Sequence, residues 1–149
     1  MSVFSNTHEF FLLTCTEGCP IPLDFAMIVD TSGSISRSNF KKLIKFIQDM
    51  LDGFDISEKG THIAVIGYST KASVVLRFND FSGAFLNSAN LKRAISKIVH
   101  SRGYTYIDKA LKLANTDVFS AKGGMRPNVT KVSKSLSSRN RFIQKPLEF

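Results

Sequence analysis

The sequence is poor in the residues that build sulfur-rich or zinc-centred proteins. Its 149 residues include only two cysteines, Cys15 and Cys19, and three histidines scattered along the chain. The two cysteines could supply half of a zinc site, but no second pair of ligands stands at a suitable spacing, which argues against zinc. If the protein is extracellular, a disulfide within the chain or to another domain is the better interpretation.

Long hydrophobic runs are missing as well. No apolar stretch reaches the roughly 18 residues that a membrane helix needs, so the product is predicted to be soluble or secreted, without a membrane span. The first 14 residues contain the apolar run Phe10 to Leu13, which is short, is preceded by His8 and Glu9, and has no lysine or arginine before it. Residues 1–21 are therefore either a weak signal segment or a leader without that role, and both interpretations stay open.

Acidic residues are scarce near the end of the chain. Residues 1–119 carry 13 basic and 11 acidic side chains, whereas residues 120–149 carry 7 basic and 1 acidic, so most of the formal net charge of +8 belongs to the last thirty residues. Residues 133–149, rich in serine, lysine and arginine, are predicted to be disordered. Because they lack interleaved aromatic residues and a recognised module, nucleic acid is not the expected partner.

The most informative stretch is 23–35. It begins as an almost unbroken apolar run, typical of a strand buried on both faces, and ends in oxygen-bearing side chains at alternate positions: Asp30, Ser32 and Ser34. One carboxylate and two hydroxyls suit Mg²⁺, Mn²⁺ or Ca²⁺ better than zinc or copper. Gly33 allows the tight turn that would bring these side chains together.

The segments that follow alternate between helical and extended patterns. A first helix, capped by Ser36 or Ser38, is predicted from an apolar stripe that ends near Gly53. Residues 62–69 predict a second buried strand, and residues 73–78 its hairpin partner at the sheet edge. Two more helices are predicted, one from Asn90 and one from Ile107 to Val118; the apolar face of the former comprises Leu91, Ile95, Ile98 and Val99.

The sequence Asp30-Thr31-Ser32-Gly33-Ser34 after a buried strand resembles the metal-ion-dependent adhesion motif of von Willebrand factor A domains. Residues 101–111 are similar to the second metal loop of that family, in which a threonine hydroxyl precedes a helix. The resemblance implies a metal site formed by Asp30, Ser32, Ser34 and Thr105. Taken alone, Thr105 would more readily be interpreted as a helix N-cap, but together with the earlier motif the interpretation as a metal ligand is favoured.

The resemblance weakens after residue 132. The family continues into a central hydrophobic strand that ends in an aspartate, and no such strand or aspartate is recognised in residues 133–149. The predicted fold is therefore an incomplete doubly wound (Rossmann-like) α/β sheet with flanking helices in the order β-α-β-β-α-α. Its units are a leader (1–21), a partial domain (22–132) and a tail (133–149). The first strand would be an exposed edge, so marginal stability or aggregation and weak metal binding are expected.

The resemblance implies a non-enzymatic binding module of the extracellular matrix or of cell adhesion. Its partner would be a matrix or adhesion protein, such as a collagen, that presents an acidic group to Mg²⁺, Mn²⁺ or Ca²⁺; its oligomeric state is left open. One alternative is a truncated fragment without activity of its own. Another is a phosphatase-like enzyme with Asp30 as nucleophile, but such enzymes place a second aspartate where this chain has Ser32, and no Gly-rich phosphate loop is present.

Overall fold

A computed structural model describes residues 22–137, and its centre is a four-stranded sheet. The strands lie in the order β3-β2-β1-β4, with β2 and β4 parallel to β1 and β3 antiparallel to β2. Their bounds are Leu23–Asp30 for β1, Thr61–Tyr68 for β2, Ala72–Leu76 for β3 and Thr130–Leu136 for β4. Because β1 is flanked on both sides, its last residue, Asp30, lies at the middle of one sheet end.

Helices cover both faces of the sheet. They are α1 (Arg37–Met50), α2 (Ser88–Ile95) and α3 (Ile107–Leu113), with a 3-10 turn at Leu51–Gly53, another at Gly83–Phe85 and a π-helical turn at Ala114–Val118. Among residues 22–137, none of these helices has the length and apolar character that crossing a bilayer requires.

Strand β1 divides the core into two layers, because its side chains alternate between the two faces of the sheet. One layer packs Phe25, Met27 and Val29 against α1 and α2, and the other packs Ala26 and Ile28 against α3 and the turn after it. Every residue of β1 after Leu23 is buried. The prediction of a strand buried on both faces is confirmed.

The helix boundaries differ in detail from those predicted. Ser36 is the N-cap of α1, and its side chain accepts a hydrogen bond from the Asn39 amide. Helix α2 begins two residues before Asn90, because the Asn87 side chain caps it. It ends at Ile95, so Val99 does not belong to its apolar face, and 73% of Val99 is exposed.

The fourth strand corrects the predicted order β-α-β-β-α-α. Strand β4 pairs in parallel with β1 from Leu23↔Thr130 to Val29↔Leu136. Strand β1 is therefore not an exposed edge, and the predicted boundary at residue 132 falls inside a strand. The strand was missed because it is not hydrophobic: Leu136 is its only buried residue. Residues 1–21 and 138–149, with the predicted leader and most of the tail, lie outside the described residues.

An ion pair anchors the segment before β4 to the start of β1. The Arg126 amide and Nε each donate to a carboxylate oxygen of Asp24, both at 2.7 Å. The guanidinium also donates to the carbonyls of Leu23 and Gly60, each at 2.9 Å. Since Asp24 is fully buried, this guanidinium compensates a charge that would otherwise be costly.

Candidate metal centre

The four residues predicted as metal ligands lie together beyond the carboxyl end of β1. The Ser32 hydroxyl is 2.8 Å from the Ser34 hydroxyl and 2.8 Å from that of Thr105. The Ser34 hydroxyl lies 3.4 Å from Asp30 Oδ2. Three hydroxyls and one carboxylate thus face one another across two loops that are far apart in the sequence.

The Asp30 carboxylate is buried, with 1% of the residue exposed, yet no basic side chain of the part of the chain that the structure describes pairs with it. Its Oδ1 accepts the Ser32 amide at 2.9 Å, and its Oδ2 accepts the hydroxyl of Ser137 at 2.9 Å. None of the ion pairs found in residues 22–137 involves Asp30. Among the described residues, the negative charge is therefore held by neutral donors.

The second loop is fixed to the first by backbone contacts. The Gly33 amide donates to the Gly103 carbonyl at 3.0 Å, and the Arg102 amide donates to the Thr31 carbonyl at 2.9 Å. Gly103 has φ +77°, and a Cβ there would lie 2.4 Å from the Thr70 hydroxyl, so this close approach requires glycine. Arg102 has φ 57°, an uncommon conformation for a non-glycine residue. These contacts set the position of Thr105.

Thr105 does not serve as a helix cap. The N-cap of α3 is Tyr106, which makes no side-chain capping hydrogen bond, while the Thr105 hydroxyl is directed to Ser32. Thr105 is exposed, whereas Ser32 is fully buried, so the cluster opens to solvent on the Thr105 side. The N-cap interpretation of Thr105 is therefore wrong for this structure.

Two residues that the sequence did not single out support the cluster. His100 stacks on Phe40 with ring centroids 4.6 Å apart, and its Nε2 is 2.9 Å from the Ser32 carbonyl. Because a carbonyl only accepts, Nε2 carries the proton in this contact. Ser137 follows β4 directly, and the pairing of β4 with β1 brings its hydroxyl to Asp30. No sequence motif marks either residue.

Tyr68, at the end of β2, is the register partner of Asp30 in the parallel pair of β1 and β2. Burial raises the pKa of its hydroxyl, the negative charge of Asp30 raises it further, and a hydrogen bond with Ser135 acts in the opposite direction. The phenol therefore stays neutral at ordinary pH, and Tyr68 adds no second negative charge.

The oxygen cluster fits a hard divalent cation. Adjacent oxygens around Mg²⁺, each at about 2.1 Å from the ion, lie about 3 Å apart in an octahedral shell, close to the separations between the hydroxyls here. Nowhere within residues 22–137 do three His, Cys, Asp or Glu side chains gather, so the donors are oxygen-rich rather than of the usual zinc type. A single carboxylate gives the cluster a charge of only −1.

The chain matches the family model described as the von Willebrand factor type A domain over residues 24–133. It is 32% identical to Matrilin-1 of Gallus gallus over 79% of its own length and 23% of that protein, and 28% identical to Integrin alpha-X of Mus musculus over 88% of its length and 11% of that protein. The chain thus spans about a quarter or less of these curated relatives.

The solved structures that it resembles include proximal thread matrix protein 1 from the mussel byssus. One of them, described as having a zinc-occupied MIDAS (metal-ion-dependent adhesion site) motif, is 30% identical, with a TM-score of 0.67 over 78% of this chain and 28% of that one. A second crystal form is 24% identical, with a TM-score of 0.71, and supports the fold. The predicted α/β fold class is confirmed.

Proposed function

Because the chain belongs to the von Willebrand factor type A domain family, we propose that it is a metal-dependent protein-binding module and not an enzyme. Asp30 would hold a divalent cation through its carboxylate, and Ser32, Ser34 and Thr105 through their hydroxyls. Mg²⁺, Mn²⁺ and Ca²⁺ are the ions that such oxygen donors favour. Because the MIDAS motif of the mussel protein is described as zinc-occupied, the affinity of this chain for zinc should be compared with its affinities for these three ions.

The observation that carries this proposal is the buried carboxylate of Asp30, which has no counter-charge from a side chain of residues 22–137. Burying an ionised carboxylate is costly unless a positive charge compensates it, and hydroxyls supply only dipoles. The hydroxyls of Ser32 and Ser34 are uncharged and leave a bound cation with an excess of positive charge. A bound cation would supply a positive centre that accepts a carboxylate oxygen from a partner.

The partner we propose is an extracellular matrix or adhesion protein that presents an acidic side chain, as a collagen or another matrix protein could. The similarity to matrilins and cochlin supports an extracellular setting. The exposed position of Thr105 supports access of a partner to the cluster. The alternative of an aspartate nucleophile gains no support, because a hydroxyl, Ser32, stands where a second carboxylate would be needed.

Calorimetric titration of the purified 149-residue chain with Mn²⁺ or Mg²⁺ tests the proposal. The wild type is expected to bind one ion, weakly, and Asp30→Ala is expected to abolish binding because it removes the only charged ligand. Thr105→Val removes one hydroxyl and should weaken Mn²⁺ binding by roughly tenfold, in line with the loss of one ligand contact.

Thr31→Val provides the matched control. The Thr31 hydroxyl also lies beside the cluster but donates to the Tyr68 carbonyl at 2.9 Å, and that carbonyl keeps the Thr31 amide as a second donor. Metal affinity in this variant should stay near that of the wild type. A folded wild-type chain that binds no divalent ion, or one that binds equally well as Asp30→Ala, would refute the proposed function.

A further inference from the structure

A surface cavity adjoins the metal cluster between the β2–β3 turn and the loop that precedes α3. Its volume is about 490 Å³, and Thr31, which separates Asp30 from Ser32, forms part of its wall. The Arg102 amide donates to the Thr31 carbonyl at 2.9 Å, so the two sides of the cavity are joined at the residue that lies between two of the proposed ligands. The cavity therefore extends to the chain segment that carries Asp30 and Ser32.

The charge of the cavity is of one sign. Lys71, Lys97 and Arg102 line it, all three are exposed, and no acidic residue within residues 22–137 belongs to its lining. The ion pairs of the described chain, which take up Lys45, Arg77, Lys92, Lys122 and Arg126, include none of these three cations. Three positive charges thus converge on a concave surface without carboxylates to neutralise them.

The floor of the cavity is partly apolar. Val75, Ile98 and Val99 contribute to it, and Val99 is one of the most exposed large hydrophobic residues of the described chain. Carboxylates beside apolar side chains match a surface that combines cations with apolar contacts. A sulfated sugar would satisfy the cations but would leave the apolar floor without a counterpart.

We propose that this cavity is a second contact site for an acidic peptide segment of the partner, whose other carboxylate is held at the metal cluster. This inference rests on the proposed function for the carboxylate that binds at the metal cluster. Binding of the other carboxylate in the cavity depends on Lys71, Lys97 and Arg102. Selectivity would come from the spacing between two acidic residues of the partner. A segment with a single carboxylate would engage the metal cluster alone and bind more weakly.

Fluorescence anisotropy with a short labelled peptide, in which glutamate alternates with leucine, tests the proposal, with Mn²⁺ and separately with chelator. The double variant Lys71→Gln, Lys97→Gln should lose about three- to tenfold in peptide affinity, as expected for two exposed charge interactions. Its Mn²⁺ affinity without peptide should stay unchanged. The loss should shrink as salt is added, since exposed charges are screened.

The double variant Lys59→Gln, Lys112→Gln is the matched control. It removes the same charge from two exposed lysines outside the cavity, one of which lies just before the start of β2, at the opposite end of that strand from Lys71. Its peptide affinity should change by about twofold or less. Equal losses of peptide affinity in both double variants would mean that the net charge of the protein causes the loss, and would overturn the proposal.

The two proposals fail in different ways. If no ion binds, the proposed function fails. The cavity proposal is then tested by the peptide affinity measured in chelator, which should still depend on Lys71 and Lys97. If Mn²⁺ supports peptide binding but the cavity variant binds as the wild type does, only the cavity proposal is overturned. Tighter binding of a heparin-derived oligosaccharide of equal charge, lost in the cavity variant, would overturn the peptide as occupant.

Discussion

The two aspartates of β1 lie at opposite ends of the same strand and are equally buried, but their surroundings differ. Asp24 is fully buried and receives two hydrogen bonds from Arg126, one of them from the guanidinium. Asp30, with 1% exposed, receives only an amide hydrogen and the hydroxyls of serines. The same residue type, on the same strand, has an ion-pair partner at one end and, among the described residues, none at the other.

This difference separates a structural charge from the charge that we propose to hold a metal ion. The Arg126 guanidinium satisfies Asp24 and joins it to the backbone around Gly60, so this end has no need of a ligand. Within residues 22–137 the charge of Asp30 is compensated by dipoles, which is why we propose that it accepts a cation from solution. Four predictions test the comparison, from the largest expected effect to the smallest.

Replacing the partner of the paired aspartate should be the most damaging change. Arg126→Met leaves Asp24 buried and charged without compensation, and we expect the free energy of unfolding to fall by about 3–5 kcal/mol. Urea denaturation followed by circular dichroism measures it. Arg93→Met, on the exposed side of α2, serves as the control and should change stability by about 0.5 kcal/mol or less. Equal stability of the two variants would contradict the structural role of Arg126.

Neutralising the unpaired aspartate should have a different consequence. In chelator, Asp30→Asn should unfold at the same or a higher urea concentration than the wild type, because it removes an uncompensated buried charge. With Mn²⁺ at about one hundred times its dissociation constant, the wild type should gain about 2.7 kcal/mol and the variant nothing. A large loss of stability of Asp30→Asn in chelator would show that Asp30 is as structural as Asp24.

Adding a second carboxylate should strengthen the unpaired end. Ser137→Asp places a new charge beside Asp30, to which the Ser137 hydroxyl donates at 2.9 Å. Since more negative ligands bind divalent cations more tightly, Mn²⁺ affinity should rise about tenfold in calorimetry. Ser133→Asp adds the same charge four residues earlier, within β4, and should leave the affinity near that of the wild type. Comparable gains of Mn²⁺ affinity in both variants would mean that the added net charge, and not its position beside Asp30, causes the gain.

The smallest effect on stability is expected from the titration of His62, which lies near Asp24 and Arg126. Burial lowers the pKa of His62, the positive charge of Arg126 lowers it further, and Asp24 and Glu58 act in the opposite direction. Because the folded-state pKa lies below the unfolded value of about 6.5, protonation favours unfolding. Stability should be constant above that pH and fall as pH decreases through the lowered pKa. His62→Gln should show a flatter dependence in urea titrations, and an unchanged slope would contradict this assignment.

Much of the fold could be predicted from residue patterns. The unbroken apolar run of β1 and the stripe of α1 specify elements whose burial dominates their stability, so the sequence indicates them directly. Strand β4 was not predicted because Thr130–Leu136 is half exposed and polar, and it is held by backbone hydrogen bonds to β1 that leave no mark on composition. The end of α2 was missed for a related reason, since Val99 is apolar but exposed.

The sequence by itself determined the chemistry of the cluster, because Asp30, Ser32 and Ser34 are neighbours along the chain and their alternation after a buried strand is a local property. Only the tertiary structure decided which distant groups join them. Thr105, His100 and Ser137 reach the cluster through loop contacts and strand pairing, which depend on how the sheet assembles. The same assembly gave Asp24 a guanidinium and gave Asp30 none from residues 22–137, and that placement, more than the residue type, separates the structural aspartate from the proposed metal ligand.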